Sequence, residues 1–280
     1  MKNLLTAVFG ILSLVLFSCQ KEVDGTLSNN GGNNGGTNST KLTKTVEKSG
    51  ADSLVTVYRY SSSGKITGVD MVGVDAGQPY DYYLTYVRNS SGIIQKQIIK
   101  STDLVQFGID SIVSVVSYDV ANNRYKSGVS NLSLMGIPIV DSVVFQYDGS
   151  GKLVTEIDYS DVGFGYLPSW KRVYTYSGSN LGTEKYYSFD INTNNYTLEY
   201  TATYEYDTKI NPLQFVSDAP LLNLDPFYSA NNITKLSYVA NDPADNFVST
   251  VSYTYNSTNR PLTDVTTTGS EVTTTSYYYQ

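Results

Sequence analysis

The chain has 280 residues, of which 40% are hydrophobic and 16% charged, and its formal net charge is −7. With one Cys and no His, it cannot build a Ser-His-Asp triad, a Cys-His dyad, a His-based zinc site or an internal disulfide. The acidic balance excludes a general phosphate-binding role, so no nucleic-acid partner is expected, and no motif calls for a cofactor or a metal.

Residues 1–18 read as a signal peptide: Lys2 supplies the positive start and Leu4 to Phe17 the apolar run. That run is shorter than the about 20 residues a membrane span needs. It ends in Leu16-Phe17-Ser18-Cys19, which resembles the lipobox of bacterial lipoproteins. The resemblance implies cleavage before Cys19 and acylation of its thiol and new amino group. Several buried acyl chains would then hold the protein stably on a membrane. Gln20-Lys21-Glu22-Val23-Asp24 resembles the short acidic export signals of surface lipoproteins of the Bacteroidetes type. That implies an outer-membrane protein displayed on the cell surface, with the periplasmic face as the alternative. Residues 19–40 carry the lipidated Cys and then TLSNNGGNNGGTNST, a Gly/Asn/Ser/Thr tract that cannot bury a core and reads as a flexible tether.

Residues 41–280 read as one all-β domain. Tyr supplies 26 residues, and its ring suits a pleated, half-buried surface. The clearest unit is Asp141 to Ser160, DSVVFQYDGSGKLVTEIDYS. Two runs of alternating side chains flank Asp148-Gly149-Ser150-Gly151, which predicts a hairpin. Alternation puts Val143, Phe145, Tyr147, Leu153, Thr155, Ile157 and Tyr159 on a dry face, and Ser142, Gln146, Glu156 and Asp158 on a wet one. Tyr-x-Tyr-like pairs followed by turn residues recur, with the second aromatic at positions 60, 86, 147, 176, 206 and 255 and weaker copies at Tyr118 and Tyr238. A repeat of about 30 residues is two strands, a turn and a return.

Together these units predict a single wide antiparallel meander of about 14–17 strands. Accumulated twist must curl it into a barrel-like or half-barrel sheet. Lys171, Arg172, Glu156 and Asp158 fall on faces where a membrane barrel needs an apolar band, so no membrane-spanning barrel is expected. Ser217 to Asn232, apolar and interrupted by Pro220 and Pro226, cannot be a central strand. It is expected to fold back over one end of the sheet.

Tyr147-Asp148-Gly149-Ser150-Gly151-Lys152-Leu153 resembles one tyrosine-aspartate (YD) repeat of the Rhs type. The pattern from 41 to 280 resembles a family of Bacteroidetes lipoproteins with a porin-like β domain of no assigned activity. Asn211-Pro212-Leu213, Ala230 to Lys235 and Tyr277-Tyr278-Tyr279 carry that likeness. It implies the barrel-like fold and no functional residues.

Candidate chemistry is sparse. Glu156 and Asp158 stand i, i+2, about 6.5–7 Å apart along a strand, a spacing that inverting glycosidases use but that any such pair shows. They read as solvated charges. Asp242, Asp245 and Asn246 lack calcium-loop spacing and read as turn formers. Phe164, Tyr166 and Trp170 lie in Asp161 to Trp170, DVGFGYLPSW, which reads as one long aromatic hairpin loop because Gly163, Gly165 and Pro168 interrupt alternation. Exposed there, they could stack on sugar rings. Asp52-Ser53-Leu54, Asp110-Ser111-Ile112 and Asp141-Ser142-Val143 each resemble the Asp-Ser/Thr-apolar acceptor of Bacteroidetes protein O-glycosylation. The reading best supported is a non-catalytic surface module that binds a glycan or an envelope protein. The alternatives are a structural envelope component and a carboxylate-based hydrolase.

Overall fold

The computed structural model describes residues 41–280 apart from 76, 135, 162, 164, 214–217, 219–220 and 222–228. Residues 1–40, with Cys19 and the expected leader and tether, lie outside the described residues. Sixteen strands follow one another: β1 (Leu42–Ser49), β2 (Asp52–Tyr60), β3 (Ile66–Asp75), β4 (Gln78–Arg88), β5 (Ile94–Lys100), β6 (Ile112–Asp119), β7 (Arg124–Leu134), β8 (Ile137–Tyr147), β9 (Leu153–Asp161), β10 (Leu167–Ser177), β11 (Asn180–Asp190), β12 (Asn195–Tyr206), β13 (Ile233–Ala240), β14 (Phe247–Tyr255), β15 (Pro261–Thr268) and β16 (Glu271–Tyr279). Each pairs antiparallel with its neighbours, and β16 pairs with β1, so the meander closes into a barrel. Closure removes both sheet edges.

Successive turns alternate between two ends of the barrel. One end, here the tyrosine end, holds the turns of the repeat. Four of them are fixed by the same local chemistry. In Asp148–Lys152 the Asp148 amide donates to the Lys152 carbonyl at 2.9 Å and the Gly151 amide returns to the Asp148 carbonyl at 3.1 Å. The Asp148 carboxylate meanwhile accepts from the Ser150 and Lys152 amides. Ser61–Lys65, Asn89–Ile93 and Asn256–Arg260 repeat the backbone pattern. The fourth turn residue needs positive φ, and it is Gly64, Gly92, Gly151 or Asn259. Only Gly, or Asn at small cost, adopts that conformation readily.

Just past each such turn the pairing slips by one residue. Gln146 faces Thr155 but Tyr147 faces Leu153, which leaves Val154 as a bulge. The same slip occurs at Arg59/Tyr60, Val87/Arg88, Ser117/Tyr118, Thr175/Tyr176, Glu205/Tyr206 and Thr254/Tyr255. A bulge reverses which face later residues occupy. It turns Ile66, Ile94, Tyr125, Leu153 and Leu181 inward beside Tyr58, Tyr86, Phe145, Tyr174 and Tyr204, and together they form the main core.

Described residues of the connection from β12 to β13 lie over this end. Leu213 and Leu221 join the core cluster. Asp218 takes a 2.6 Å ion pair from Arg88 and a 2.6 Å hydrogen bond from the Tyr125 hydroxyl. This is the expected fold-back over one end, seen at the described residues of the segment. Pro220 and Pro226 lie outside them.

The opposite end, here the loop end, carries the remaining hairpins and the one-turn helix Thr102–Val105, capped by Ser101. Leu104 and Ile109 pack there against Ile112, Leu134 and Ile139 in a second, smaller cluster.

Two expectations are overturned. Glu156 and Asp158 are not solvated: each is 1% exposed, and Arg172 is 7% exposed. All three face inward, while Thr155, Ile157 and Tyr159 face outward. The Val154 bulge is the physical reason, because it inverts alternation along β9 after Leu153. Of the four charges expected outside, only Lys171 is on the outer face. That face nonetheless carries Asp70, Asp81, Lys96 and Lys185 at mid-strand, each paired in register with outward neighbours. The second correction concerns Tyr238. It is not a turn copy but stands near the loop end of β13.

Candidate functional site

The inner wall divides into two polar regions above the tyrosine-end core. The first spans β8 to β14. Arg172 is its centre, with Nη1 3.9 Å from Glu156 and Nε 3.5 Å from Glu184. The Tyr174 hydroxyl donates to Glu156 at 2.8 Å, and the Tyr200 hydroxyl to Glu184 at 2.7 Å. Burial works against the guanidinium charge, but the oxygens of Tyr174, Glu184, Tyr200 and Glu156 outweigh it and hold Arg172 charged. One cation thus serves two buried carboxylates.

Beside this cluster lies a second pair of acids. Ser160 donates to Asp141 at 2.6 Å. Asp158 is sealed, with neither carboxylate oxygen in a hydrogen bond of good geometry. Burial, and then the charge of Asp141, push its carboxyl up to about 8, with the Ser169 hydroxyl pulling the other way. Burial also raises Asp141. Two carboxyls this close and this dry hold a proton at neutral pH.

Toward the loop end the wall is aromatic. Trp170 stacks on Tyr186 (6.1 Å between centroids), Tyr186 on Tyr200 (5.3 Å), Tyr200 on Tyr238 (4.7 Å) and Tyr238 on Phe247 (4.7 Å). Five consecutive strands supply one ring each, because register sets Trp170, Tyr186, Tyr200 and Tyr238 on one face. Arg172 lies over the Trp170 ring at 5.2 Å. Most ring faces are therefore taken by neighbours. Free surface remains at ring edges and at Phe247, which is 38% exposed.

The residues expected to act together do not form one loop. Trp170 sits in β10 on the inner wall, half-buried in the stack. Tyr166 is 55% exposed in the β9–β10 connection, and Phe164 lies outside the described residues. Tyr186, Tyr200, Tyr238 and Phe247 were missed as partners of Trp170. Their spacing in sequence carries no signal, and only strand register brings them together. Asp242 and Asn246 act as turn formers, accepting from the Ala244 and Ala240 amides. Ser53 and Ser142 lie on the outer face of β2 and β8, and Ser111 just before β6.

The second polar region lies at the seam of the barrel. Glu47 on β1 faces Thr275 on β16, which faces Asp264 on β15. Ser49 faces Asp52 on β2. Asp264 is satisfied, accepting from Tyr277 at 2.6 Å and Thr266 at 3.3 Å. Asp52 is 5% exposed and neither of its carboxylate oxygens is hydrogen-bonded. Burial, with the nearby Asp264 charge, raises the Glu47 carboxyl to about 7. Among the described residues no Lys or Arg faces this region, since Lys44 and Lys48 point outward from β1, Lys44 over the Tyr278 ring.

No protein-family model and no curated protein matches the sequence. Solved structures do share the fold. A porin-like protein from Bacteroides uniformis is 13% identical, with a TM-score of 0.52 over 87% of this chain and 98% of that one. A porin-like protein from Bacteroides vulgatus is 12% identical, with a TM-score of 0.51 over 86% and 99%. At this identity the likeness is one of fold alone.

Proposed function

We propose that the protein is a lipid-anchored, non-catalytic module of the bacterial outer envelope that binds a glycan inside the loop end of its barrel. The observation that carries the reading is the aromatic row Trp170–Tyr186–Tyr200–Tyr238–Phe247 on the inner wall. It ends in an exposed ring and has the exposed Tyr166 near its first strand. Ring edges and one open face beside hydroxyls and acids suit a polyhydroxylated ligand. The tyrosine end is filled and covered, so a ligand has the loop end for entry.

Supporting the envelope reading are the lipobox-like Cys19 and the likeness in fold to porin-like proteins from Bacteroides. The mid-strand charges on the outer face favour a barrel that stands in water on a tether over one that spans lipid. Against catalysis, Glu156 is 1% exposed and bound by Arg172 and Tyr174, which leaves it little freedom to act on a substrate.

Trp170 is the sole Trp, so its fluorescence reports on the row directly. Titration of the full chain in a non-ionic detergent with a panel of neutral and charged oligosaccharides should shift its emission for at least one. Phe247→Ala should weaken that response about 5- to 150-fold, on the scale of about 1–3 kcal/mol per stacked ring. No response across the panel overturns the glycan reading and favours a purely structural envelope component. For the anchor, Cys19→Ser should release the protein from membranes or leave an unprocessed precursor. Unchanged maturation and fractionation would refute it.

A further inference from the structure

We infer that the tyrosine end is the face this barrel turns toward the anionic lipid headgroups of its membrane, and that the loop end points away from them. The inference rests on the anchor reading above and adds which surface meets the lipid. Two independent observations carry it: where the chain enters the barrel, and how charge divides between the two ends.

Lys41 precedes β1 at the tyrosine end. Its amide donates to the Gln280 carbonyl, and its ammonium group lies 5.5 Å from the centre of the Tyr60 ring, next to the Ser61–Lys65 turn. Residues 20–40 link it to Cys19. A Gly-rich tether of that length has an end-to-end distance of about 25 Å, no longer than most of the strands at about 3.3 Å per residue. An anchor at Cys19 therefore keeps the tyrosine end near the lipid. Bringing the loop end there instead means stretching the tether past the height of the barrel, at a cost in chain entropy.

Charge divides in the same sense. Lys41, Lys65, Arg124, Lys152, Lys209 and Arg260 stand at the tyrosine end, against Asp119, Asp148 and Asp207 among the described residues. A further acid there, Asp218, is neutralised by Arg88. Lys65 and Lys209 donate to neutral oxygens, the Gly92 carbonyl and the Asn259 side chain, so their charges stand uncancelled. The loop end is acidic. Asp103 and Asp110 follow β5, Asp161 and Asp190 close β9 and β11, Asp242 and Asp245 lie between β13 and β14, and Glu271 opens β16. Among the described residues the bases nearest them are Lys48 and Lys100.

Turn chemistry does not account for this division. Asp148 accepts from the amides two and four residues on, and Asn256 does the same without a charge. Asp161, Asp190 and Asp242 likewise accept from the amide two residues on, a task for which Asn suffices. A surface of anionic headgroups attracts the basic end and repels the acidic one within a screening length. Held this way, the barrel offers its aromatic-lined loop end to the medium, where a ligand can enter.

The test uses the full chain, purified from membranes in a non-ionic detergent and inserted into preformed phosphatidylcholine vesicles with or without about a quarter phosphatidylglycerol. Ser62→Cys and Ser270→Cys place a thiol in an exposed turn at the tyrosine end and the loop end respectively. The native Cys19 thiol is blocked by its lipid, so a thiol-reactive fluorophore reads one position at a time. Energy transfer to a headgroup-labelled lipid should quench the Ser62→Cys label about twofold more strongly, since the two sites stand about a strand length apart. The difference should narrow in the neutral vesicles. It should narrow also as salt rises from about 0.01 M to about 1 M, which cuts the screening length from about 30 Å to about 3 Å. Equal quenching, stronger quenching at Ser270→Cys, or a difference that neither neutral lipid nor salt reduces overturns the inference while the anchor reading stands. A chain that fails to float with either kind of vesicle overturns both.

Discussion

The hydroxyl of Tyr176 donates a 2.9 Å hydrogen bond to the carbonyl of Leu153, the first residue of the strand before it. Tyr60 does the same to Leu42 at 2.8 Å, and Tyr279 to Pro261 at 2.8 Å. In the second repeat Arg88 takes the tyrosine's place and reaches Ile66 at 2.7 Å. Each link sits beside a bulge, where ladder hydrogen bonding is interrupted and a carbonyl needs another donor. Tyr176→Phe keeps the ring and removes the donor. It should lower stability by about 1–3 kcal/mol, read as a shift in urea midpoint at unchanged slope.

Gly151 occupies a left-handed backbone position (φ 85°) with nothing within 4 Å of where a Cβ would stand. The cost of Gly151→Ala is therefore backbone strain alone, about 1–2 kcal/mol. Gly151→Asn should recover part of it, since Asn259 fills the matching position of another turn. Thermal melts of the two variants should fall in the order Gly, Asn, Ala.

Arg172 neutralises Glu156 and Glu184 at once, so Arg172→Met leaves two buried acids without a cation. Removing one partner of a buried pair costs about 3–5 kcal/mol. The triple change Arg172→Met, Glu156→Gln, Glu184→Gln should restore much of the loss, because it removes the charges together. Denaturant titration of the single and triple variants checks this, and a triple variant as unstable as the single one would refute it.

Asp158 binds its proton more tightly in the folded chain than in the unfolded one, with a carboxyl at about 8 against an ordinary value near 3.8. Between those values the folded state carries more protons than the unfolded state. Its contribution is full below about pH 4, falls as pH rises, and levels off above about pH 8. Glu47, at about 7, adds to the same trend. Stability should therefore decline from pH 5 to pH 8, by up to about 1.4 kcal/mol per unit for each group. Asp158→Asn should flatten the profile. A curve that rises over this window contradicts the assignment.

The hairpins, the wide meander and the cover over one end were legible because alternation, Asp/Asn/Gly turns and proline placement act locally. What was hidden depends on single inserted residues. Val154 has no property that marks it as a bulge, yet it sends Glu156 and Asp158 inward. Gln95 does the same in β5, where the pairs Val87–Lys96 and Arg88–Ile94 leave it unmatched. Reading Tyr86 as the second aromatic therefore set that repeat two residues early, because Arg88 is its true counterpart. Trp170 was noticed as the sole indole, but its partners come from strands that approach only once the sheet is formed.

The closing pair of the barrel joins strands from opposite ends of the described chain. The Lys41 amide donates to Gln280 at 3.2 Å, and the Gln280 amide to Lys41 at 2.9 Å. Every other pairing joins neighbours in sequence, so most of the sheet can assemble by local steps. The last step must wait for β16 and bring it to β1 across the whole domain. Loop closure over such a distance is slow relative to hairpin formation. Until it happens the nascent sheet has two bare rims able to pair with another chain. Folding of this barrel thus includes an interval in which shielding of β1 decides between a closed barrel and an aggregate.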